Sequence, residues 1–294
     1  MAASRALKHV RVPPLSPERF KTILTAQQSA ELDRTIERAR AALHGRVVWS
    51  VNSTLRGGGV VEMLGSLIAY ARGAGIDSRW AVIRPEPSFF QLTKRLHNRL
   101  HAASGDGGPL GRDEHRVFAE TSGRLADELA AAARPEDVVI LHDPQTAGMT
   151  RRLKETGSTV IWRSHVGADL ANELAEEAWR FLLPYVTEAD AYVFSRDAFA
   201  WSNLDRSKVA VIPPSIDAFS PKNQDMDAVT VSAVLRSAGL ELGSSSSPPV
   251  AGLSRRCPAG TGSRTTPASW MRSAGTSLLA PTRTCSWPAR TSKR

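Results

Sequence analysis

The chain has 294 residues, enough for two domains or one large one. Its formal net charge of +9 is concentrated at one end, because residues 244–294 hold eight Lys and Arg and no Asp or Glu, which leaves residues 1–243 at +1. This nearly neutral main part argues against a body built to bind nucleic acid. Both cysteines also lie in residues 244–294, so the main part has neither a disulfide nor a thiolate metal site.

The chain has no run of about 18 apolar residues of the kind that spans a bilayer. Residues 1–14 also lack the continuous apolar core of a signal peptide. We therefore expect a cytoplasmic protein with no membrane partner.

A strand, a glycine turn and a helix follow one another near residue 50. Residues 46–53 are rich in β-branched and aromatic side chains, as a buried strand is. Gly57, Gly58 and Gly59 follow, and apolar residues over 60–72 then recur at helical spacing. Glycine lets a ligand approach the backbone, and a helix N-terminus offers N–H groups to an anion or hydroxyl. A tight turn without a ligand is the alternative, and the spacing does not fit the GxGxxG dinucleotide pattern of an oxidoreductase.

The remaining pattern predicts strands that alternate with helices. Such an order is typical of a Rossmann-like α/β fold, a mostly parallel sheet with helices on both faces. Residues 1–45 predict a helical N-terminal extension, with Ser16 and Pro17 as one helix start. Further strands are predicted at 78–83, 137–143, 158–165, 191–195 and from 209, and helices at 89–101, 113–133, after 144 and at 173–186.

Polar residues follow several of these strands. In parallel sheets ligands bind beyond the carboxyl ends of the strands, and the glycine turn, Asp143 and His165 are all predicted at that edge. On the helix over 89–101, Lys94, His97 and Asn98 share one face. A solvated helix face is the alternative interpretation of these three residues.

Five separated motifs then point to a known family. The chain resembles the trehalose glycosyltransferring synthases, which are retaining nucleotide-sugar glycosyltransferases with two Rossmann-like domains in the GT-B architecture. The resemblance covers residues 46 to about 240 and implies the N-terminal GT-B domain, which mainly holds the acceptor sugar. The motifs are Val51-Asn52-Ser53-Thr54 with Gly57-Gly58-Gly59-Val60, Phe89-Phe90 with Thr93-Lys94 and His97-Asn98, His142-Asp143-Pro144-Gln145, Trp162-Arg163-Ser164-His165, and Pro213-Pro214-Ser215-Ile216-Asp217.

The resemblance implies two catalytic candidates. Asp143 would accept hydrogen bonds from the acceptor sugar, although Pro144 makes a helix N-cap the alternative. His165 would hydrogen-bond the transferred sugar or buffer developing charge, with a satisfied histidine at a strand end as the alternative. For Arg163 the alternative is an ion pair. The substrate-binding candidates are Asn52, Gly57, Gly58, Gly59, Lys94, His97, Asn98, Gln145 and Arg163.

The resemblance implies no metal and no cofactor beyond nucleotide-glucose, which is a donor substrate. Asp225-Met226-Asp227 has the spacing of a metal-binding Asp-x-Asp but lacks a preceding apolar strand, so we interpret it as surface charge. The expected partners are glucose, nucleotide-glucose and trehalose, without specific nucleic acid. An exposed interdomain face would favour self-association into a homo-oligomer.

The chain divides into three predicted parts: the extension 1–45, an acceptor-binding domain 46–243 and a basic tail 244–294. The tail lacks periodic apolar residues and predicts disorder. We hypothesise a frameshifted remnant of the donor-binding domain, because a one-base shift lets residues 256–273 be reread as a sequence resembling the opening of that domain. A basic arm for nucleic acid is the alternative, disfavoured because the Arg residues are scattered singly.

The expected function is therefore transfer of glucose from nucleotide-glucose to glucose, forming trehalose. With the donor-phosphate site missing, we expect a truncated chain with weak or no activity. A non-catalytic sugar-binding or interaction module is the alternative, and it would bind sugar without turnover.

Overall fold

A computed structural model describes residues 6–237. The strands are β1 (Leu7–Val10), β2 (Val48–Asn52), β3 (Ser78–Ile83), β4 (Val138–His142), β5 (Thr159–Ser164), β6 (Ala191–Phe194) and β7 (Val209–Val211). The helices are α1 (Ala26–Ala42), α2 (Gly59–Gly73), α3 (Pro87–Leu100), α4 (Arg112–Ala130), α5 (Pro144–Ala147), α6 (Thr150–Glu155), α7 (Glu173–Val186) and α8 (Ala228–Ser237). The prediction for residues 244–294 lies outside the described residues.

The seven strands form one sheet in the order β1-β3-β2-β4-β5-β6-β7. Every neighbouring pair is parallel except β1 and β3. The predicted mostly parallel α/β sheet is confirmed. In register, Val51 of β2 lies opposite Leu141 of β4, and Leu141 lies opposite Trp162 of β5. The carboxyl ends of β2, β4 and β5 therefore lie side by side.

Apolar side chains bury both faces of the sheet. On β3, Ala81 and Ile83 join the larger core with α3, α4 and α7, whereas Trp80 and Val82 pack with apolar residues of α2. Successive side chains of a strand point to opposite faces, so α2 lies on one face and the other three helices on the opposite one. Each large side chain fully buried in this way contributes about 1.5–3 kcal/mol.

The N-terminal segment differs from the helical prediction. Leu7–Val10 forms the edge strand β1, antiparallel to β3. Ser16 does begin a helix, but a short 3₁₀ one, Pro17–Thr22, whose Glu18 N–H donates to the Ser16 hydroxyl. Helix α1 begins after Thr25, whose side chain caps the N–H of Gln28 in a capping box.

After β7 the chain crosses back to α2. The carboxylate of Asp217 accepts hydrogen bonds from Ser66 Oγ at 2.9 Å and Tyr70 Oη at 3.2 Å. The Phe219 ring packs 5.4 Å from the Phe20 ring, with Arg19 stacked 4.2 Å above it. These contacts attach the segment after the last strand to the helix that follows the glycine turn.

The chain divides into one unit of residues 1–225 and a second of residues 226–294, of which only the part up to 237 is described. In the second unit, the Asp227 carboxylate accepts the Thr230 N–H at 2.7 Å, at the start of α8. No helix among residues 6–237 is long and apolar enough to cross a bilayer.

Candidate functional site

Asp143 occupies a strained turn at the end of β4. Its φ of 66° and ψ of 178° lie in a region that glycine adopts almost alone and that costs other residues about 1–3 kcal/mol. Two tertiary hydrogen bonds hold the turn: the Asp143 N–H donates to the Arg163 carbonyl at 2.8 Å, and the Trp162 indole N–H donates to the Asp143 carbonyl at 3.1 Å. Strain of this kind clusters at functional sites.

The Asp143 side chain reaches across to β5. Its Oδ1 accepts the backbone N–H of His165 at 2.8 Å. It makes no capping hydrogen bond to α5, although it occupies the N-cap position and Pro144 follows, so the N-cap alternative is wrong for the side chain. Burial raises the pKa of this carboxyl to about 7, although the His165 N–H and the charge of Arg163 act to lower it. Near neutral pH the group can therefore either accept or donate a hydrogen bond to a hydroxyl.

His165 stacks on His142. The ring centroids are 5.3 Å apart with 12° between the planes, and His165 Nε2 lies 2.9 Å from His142 Nδ1. Burial and, to a smaller extent, the charge of Arg163 lower the pKa of His165 to about 4. At neutral pH His165 is uncharged, with one nitrogen that donates and one that accepts.

Arg163 lies opposite His142 in the β4–β5 register. It forms no salt bridge within residues 6–237, and its Nε is buried without a hydrogen-bond partner. Burial lowers the pKa of its guanidinium, while Asp143 raises it. The ion-pair alternative for Arg163 is therefore not found in this part of the chain, and a half-buried cation with one buried, unpartnered donor lies beside Asp143.

A cavity of about 940 Å³ brings three predicted residues together. Lys94 and Asn98 of α3 line it from one side and Gln145 of α5 from another. The Gln145 Oε1 atom is buried and has no hydrogen-bond partner. Phe90, a residue that we did not predict to bind substrate, adds a partly exposed apolar wall. A few polar groups that converge on a partly apolar cavity are typical of a small-molecule site.

His97 is not among the residues that line this cavity. Its half-buried ring packs 5.0 Å from the ring of His101, whose Nδ1 lies 3.2 Å from the Gly167 carbonyl oxygen. Burial lowers the pKa of His97 to about 4, and His101 and Lys94 add to the effect. The structure thus packs His97 against His101, and it is His101 that contacts the loop after β5.

The glycine turn requires glycine for its backbone conformation. Gly57 and Gly58 have φ values of 71° and 87°, and a Cβ on either would meet nothing within 4 Å. Gly58 is the N-cap of α2 and supplies no side-chain cap, so the first N–H groups of that helix remain available. Asn52, in contrast, is occupied: its Oδ1 accepts the Trp80 indole N–H at 2.8 Å and its Nδ2 donates to the Thr54 carbonyl at 2.8 Å.

Comparison with known proteins places this geometry in a family. A family model described as trehalose synthase, N-terminal domain, matches residues 50–201. The chain belongs to the trehalose synthase family. The matched range contains all the predicted site residues, from Asn52 to His165.

Two curated relatives carry the same name. Trehalose synthase of Rubrobacter xylanophilus is 31% identical over 226 residues, which cover 76% of this chain and 52% of that protein. Trehalose synthase of Pyrococcus horikoshii is 31% identical over 218 residues, which cover 74% and 50%. The chain thus spans about half the length of these relatives. A solved trehalose-6-phosphate synthase is 16% identical with a TM-score of 0.48, covering 65% of this chain and 55% of that one.

Two other places in residues 6–237 lie outside this site. Asp225 and Asp227 are exposed, and no group of three or more His, Cys, Asp or Glu within residues 6–237 could hold a metal ion. A second cavity, of about 660 Å³, lies at the amino ends of the strands and is lined by Arg46 and Asp137 among others. It contains none of the predicted residues.

His142, like Phe90, belongs to this site but was not selected by the sequence prediction. It lies in the His142-Asp143-Pro144-Gln145 motif, in which we selected Asp143 and Gln145. In the structure both the Asp143 carboxylate and the His142 ring contact His165. The signal available in the sequence was two strands, each ending near a histidine. Only the register of β4 against β5 brings the two rings together.

Proposed function

We propose that this chain supplies the acceptor-binding part of a retaining glycosyltransferase that joins glucose from a nucleotide-glucose donor to glucose, forming trehalose. The observation that carries the proposal is the hydrogen bond between Asp143 and His165 at the ends of adjacent strands, in a domain of the trehalose synthase family. Gln145 follows Asp143 by two residues and links this pair to the cavity.

In the proposal the acceptor glucose lies in the cavity formed by α3 and α5. Lys94, Asn98 and Gln145 would bond its hydroxyls, and the Gln145 Oε1 atom would gain the donor that it lacks. Asp143 would orient the reacting hydroxyl and take up its proton, for which a pKa of about 7 is well suited at neutral pH. Because the hydroxyl is already held in place, the reaction step does not include the entropy cost of bringing the two sugars together.

The leaving nucleotide diphosphate needs positive charge and hydrogen-bond donors. We assign the diphosphate to a second domain in the GT-B arrangement, and the transferred glucose to the edge formed by the glycine turn, Arg163 and His165. Neutral His165 would donate to a sugar oxygen, and the half-buried guanidinium of Arg163 would stabilise the negative charge that develops on the leaving phosphate oxygen as the glycosidic bond breaks.

Calorimetric titration of glucose and trehalose into the full chain, with and without nucleotide-glucose, tests the proposal. We expect glucose binding that weakens in Asp143→Asn and Gln145→Ala but not in Gln27→Ala, a control on the exposed face of α1. Trehalose produced from both substrates would support transfer, and binding without turnover would support a sugar-binding module. Absent sugar binding, or equal binding by all three variants, would contradict the proposed acceptor site.

A further inference from the structure

The stacked histidines share one hydrogen. His142 Nδ1 and His165 Nε2 lie 2.9 Å apart, so one of these nitrogens donates to the other. His142 Nε2 is buried without a partner. His165 Nδ1 makes no hydrogen bond in the described part of the chain and is not among the fully buried atoms that lack one, so solvent reaches it. The position of the shared hydrogen therefore decides what His165 offers to a ligand.

Two arrangements of the uncharged pair are open. In the first arrangement, His165 carries its hydrogen on Nε2 and donates it to His142 Nδ1. His142 must then carry its own hydrogen on Nε2, as a buried N–H without an acceptor. The Nδ1 atom of His165 is then an acceptor without a hydrogen. In the second arrangement, His142 carries its hydrogen on Nδ1 and donates it to His165 Nε2, so His142 Nε2 has a lone pair and no hydrogen. His165 then carries hydrogen on Nδ1 and presents a donor.

Arg163 favours the second arrangement. It is the register partner of His142, so the two side chains leave the same face of the sheet, and its buried Nε–H has no partner. The pKa of His142 lies well below its ordinary value, mainly because of burial and His165. The positive charge of Arg163 lowers it as well. A lone pair on His142 Nε2 is attracted by this charge, whereas an N–H dipole would be repelled. Buried N–H groups without an acceptor are also rarer than buried acceptors without a donor.

Asp143 fixes the other half of the geometry. Its Oδ1 accepts the His165 backbone N–H at 2.8 Å, so the main chain of His165 is held while His142 holds the ring. Two neighbouring residues of β4 and its turn thus define both the place and the orientation of one imidazole.

We propose that His142 is a positioning residue that donates its Nδ1–H to His165 and so fixes His165 with hydrogen on Nδ1, as a donor toward a sugar oxygen. The identity of the ligand rests on the proposed function, whereas the tautomer does not.

Nitrogen-15 NMR of the full chain, labelled at its seven histidines, reads the tautomer directly. At pH 7.5 we expect His165 Nδ1 to show the shift of a protonated nitrogen and Nε2 that of a bare one. His142→Asn retains an N–H near the Nδ1 position, and His142→Leu removes it at similar volume. We expect the His165 tautomer to persist in the Asn variant and to move toward Nε2–H, the form preferred by free histidine in water, in the Leu variant.

Protonated Nε2 on His165 of the unaltered chain would overturn the proposal, whether or not the Leu variant folds. An unchanged His165 tautomer in a folded His142→Leu chain would overturn it as well. Addition of glucose separates this proposal from the proposed function. A His165 with Nδ1–H that responds neither to glucose nor to nucleotide-glucose would support the positioning by His142 and contradict the proposed contact between His165 and a sugar.

Discussion

Two aspartates, Asp137 buried and Asp143 half-buried, lie at opposite ends of the same strand. Asp137 precedes β4 and accepts four hydrogen bonds, from the Val47 N–H, the Trp49 indole, and the backbone and side chain of Arg134. Asp143 follows β4, and its carboxylate accepts one, from His165. Burial acts to raise both pKa values, but hydrogen bonds outweigh it at Asp137 and do not at Asp143.

The difference separates an aspartate that supports the fold from one that we propose to bind a ligand. The Asp137 charge is fully bonded and holds the amino end of the sheet together. Near Asp143, buried atoms of His142, Gln145 and Arg163 lack partners. Buried polar atoms that a fold leaves unpaired need an explanation, and at this edge the proposed sugar would supply one.

The sharpest test replaces each aspartate by asparagine. Asp137→Asn removes a buried charge and turns an amide N–H toward existing donors, so we expect the free energy of unfolding to fall by about 3 kcal/mol. Asp143→Asn should leave it unchanged or higher at pH 8. Urea unfolding at pH 8 measures both. A larger loss in Asp143→Asn would reverse the distinction between the two ends.

A pH series sharpens the comparison. Because the native pKa of Asp143 is about 7, above an ordinary value of about 3.9, its contribution to stability is full below about pH 4 and is lost as pH rises through about 7. Relative to Asp143→Asn, the unaltered chain should therefore lose about 3 kcal/mol between about pH 4.5 and pH 8. Parallel curves for the two proteins would show that Asp143 titrates normally.

The glycine turn gives a smaller effect at the same edge. Gly58→Ala places a Cβ on a residue with φ of 87° and should cost about 1–2 kcal/mol. Gly59→Ala is the matched control, since Gly59 begins α2 without a positive φ and a Cβ there meets nothing within 4 Å. Unfolding in urea compares the two, and equal losses would contradict a conformational need for glycine at 58.

The smallest expected effect concerns affinity. Removing the buried, unpartnered amide oxygen in Gln145→Ala should weaken glucose binding about tenfold, roughly 1.4 kcal/mol, with little change in stability. Calorimetry against the Gln27→Ala control checks it. Unchanged affinity would remove Gln145 from the binding surface.

The sequence predicted the sheet because its central strands are apolar runs set between helical patterns. The strand 78–83 and the helix 173–186 match the structure at both ends. The edge strand β1 was missed because four residues with one neighbouring strand leave almost no pattern. A separate short α5 before α6 was also beyond prediction, since Pro144 indicates a start but not an end.

The site was predictable only in part. Motif position places Asp143 and His165 after neighbouring strands, and the register confirms that the two strands are adjacent. Whether Asn52 faces a ligand or its own turn depends on Trp80, a residue of another strand, so local sequence does not decide it. Lys94 and Gln145 meet only through the packing of α3 and α5.

The backbone at Asp143 also restricts how this position can change over evolution. Glycine would relieve the turn but remove the carboxylate, whereas alanine or glutamate would keep the strain and alter the side chain. Selection for the stability of the fold alone would therefore favour glycine at position 143. On the proposed function, the aspartate marks a trade-off in which the fold gives up stability so that a carboxyl group stays at the edge of the sheet.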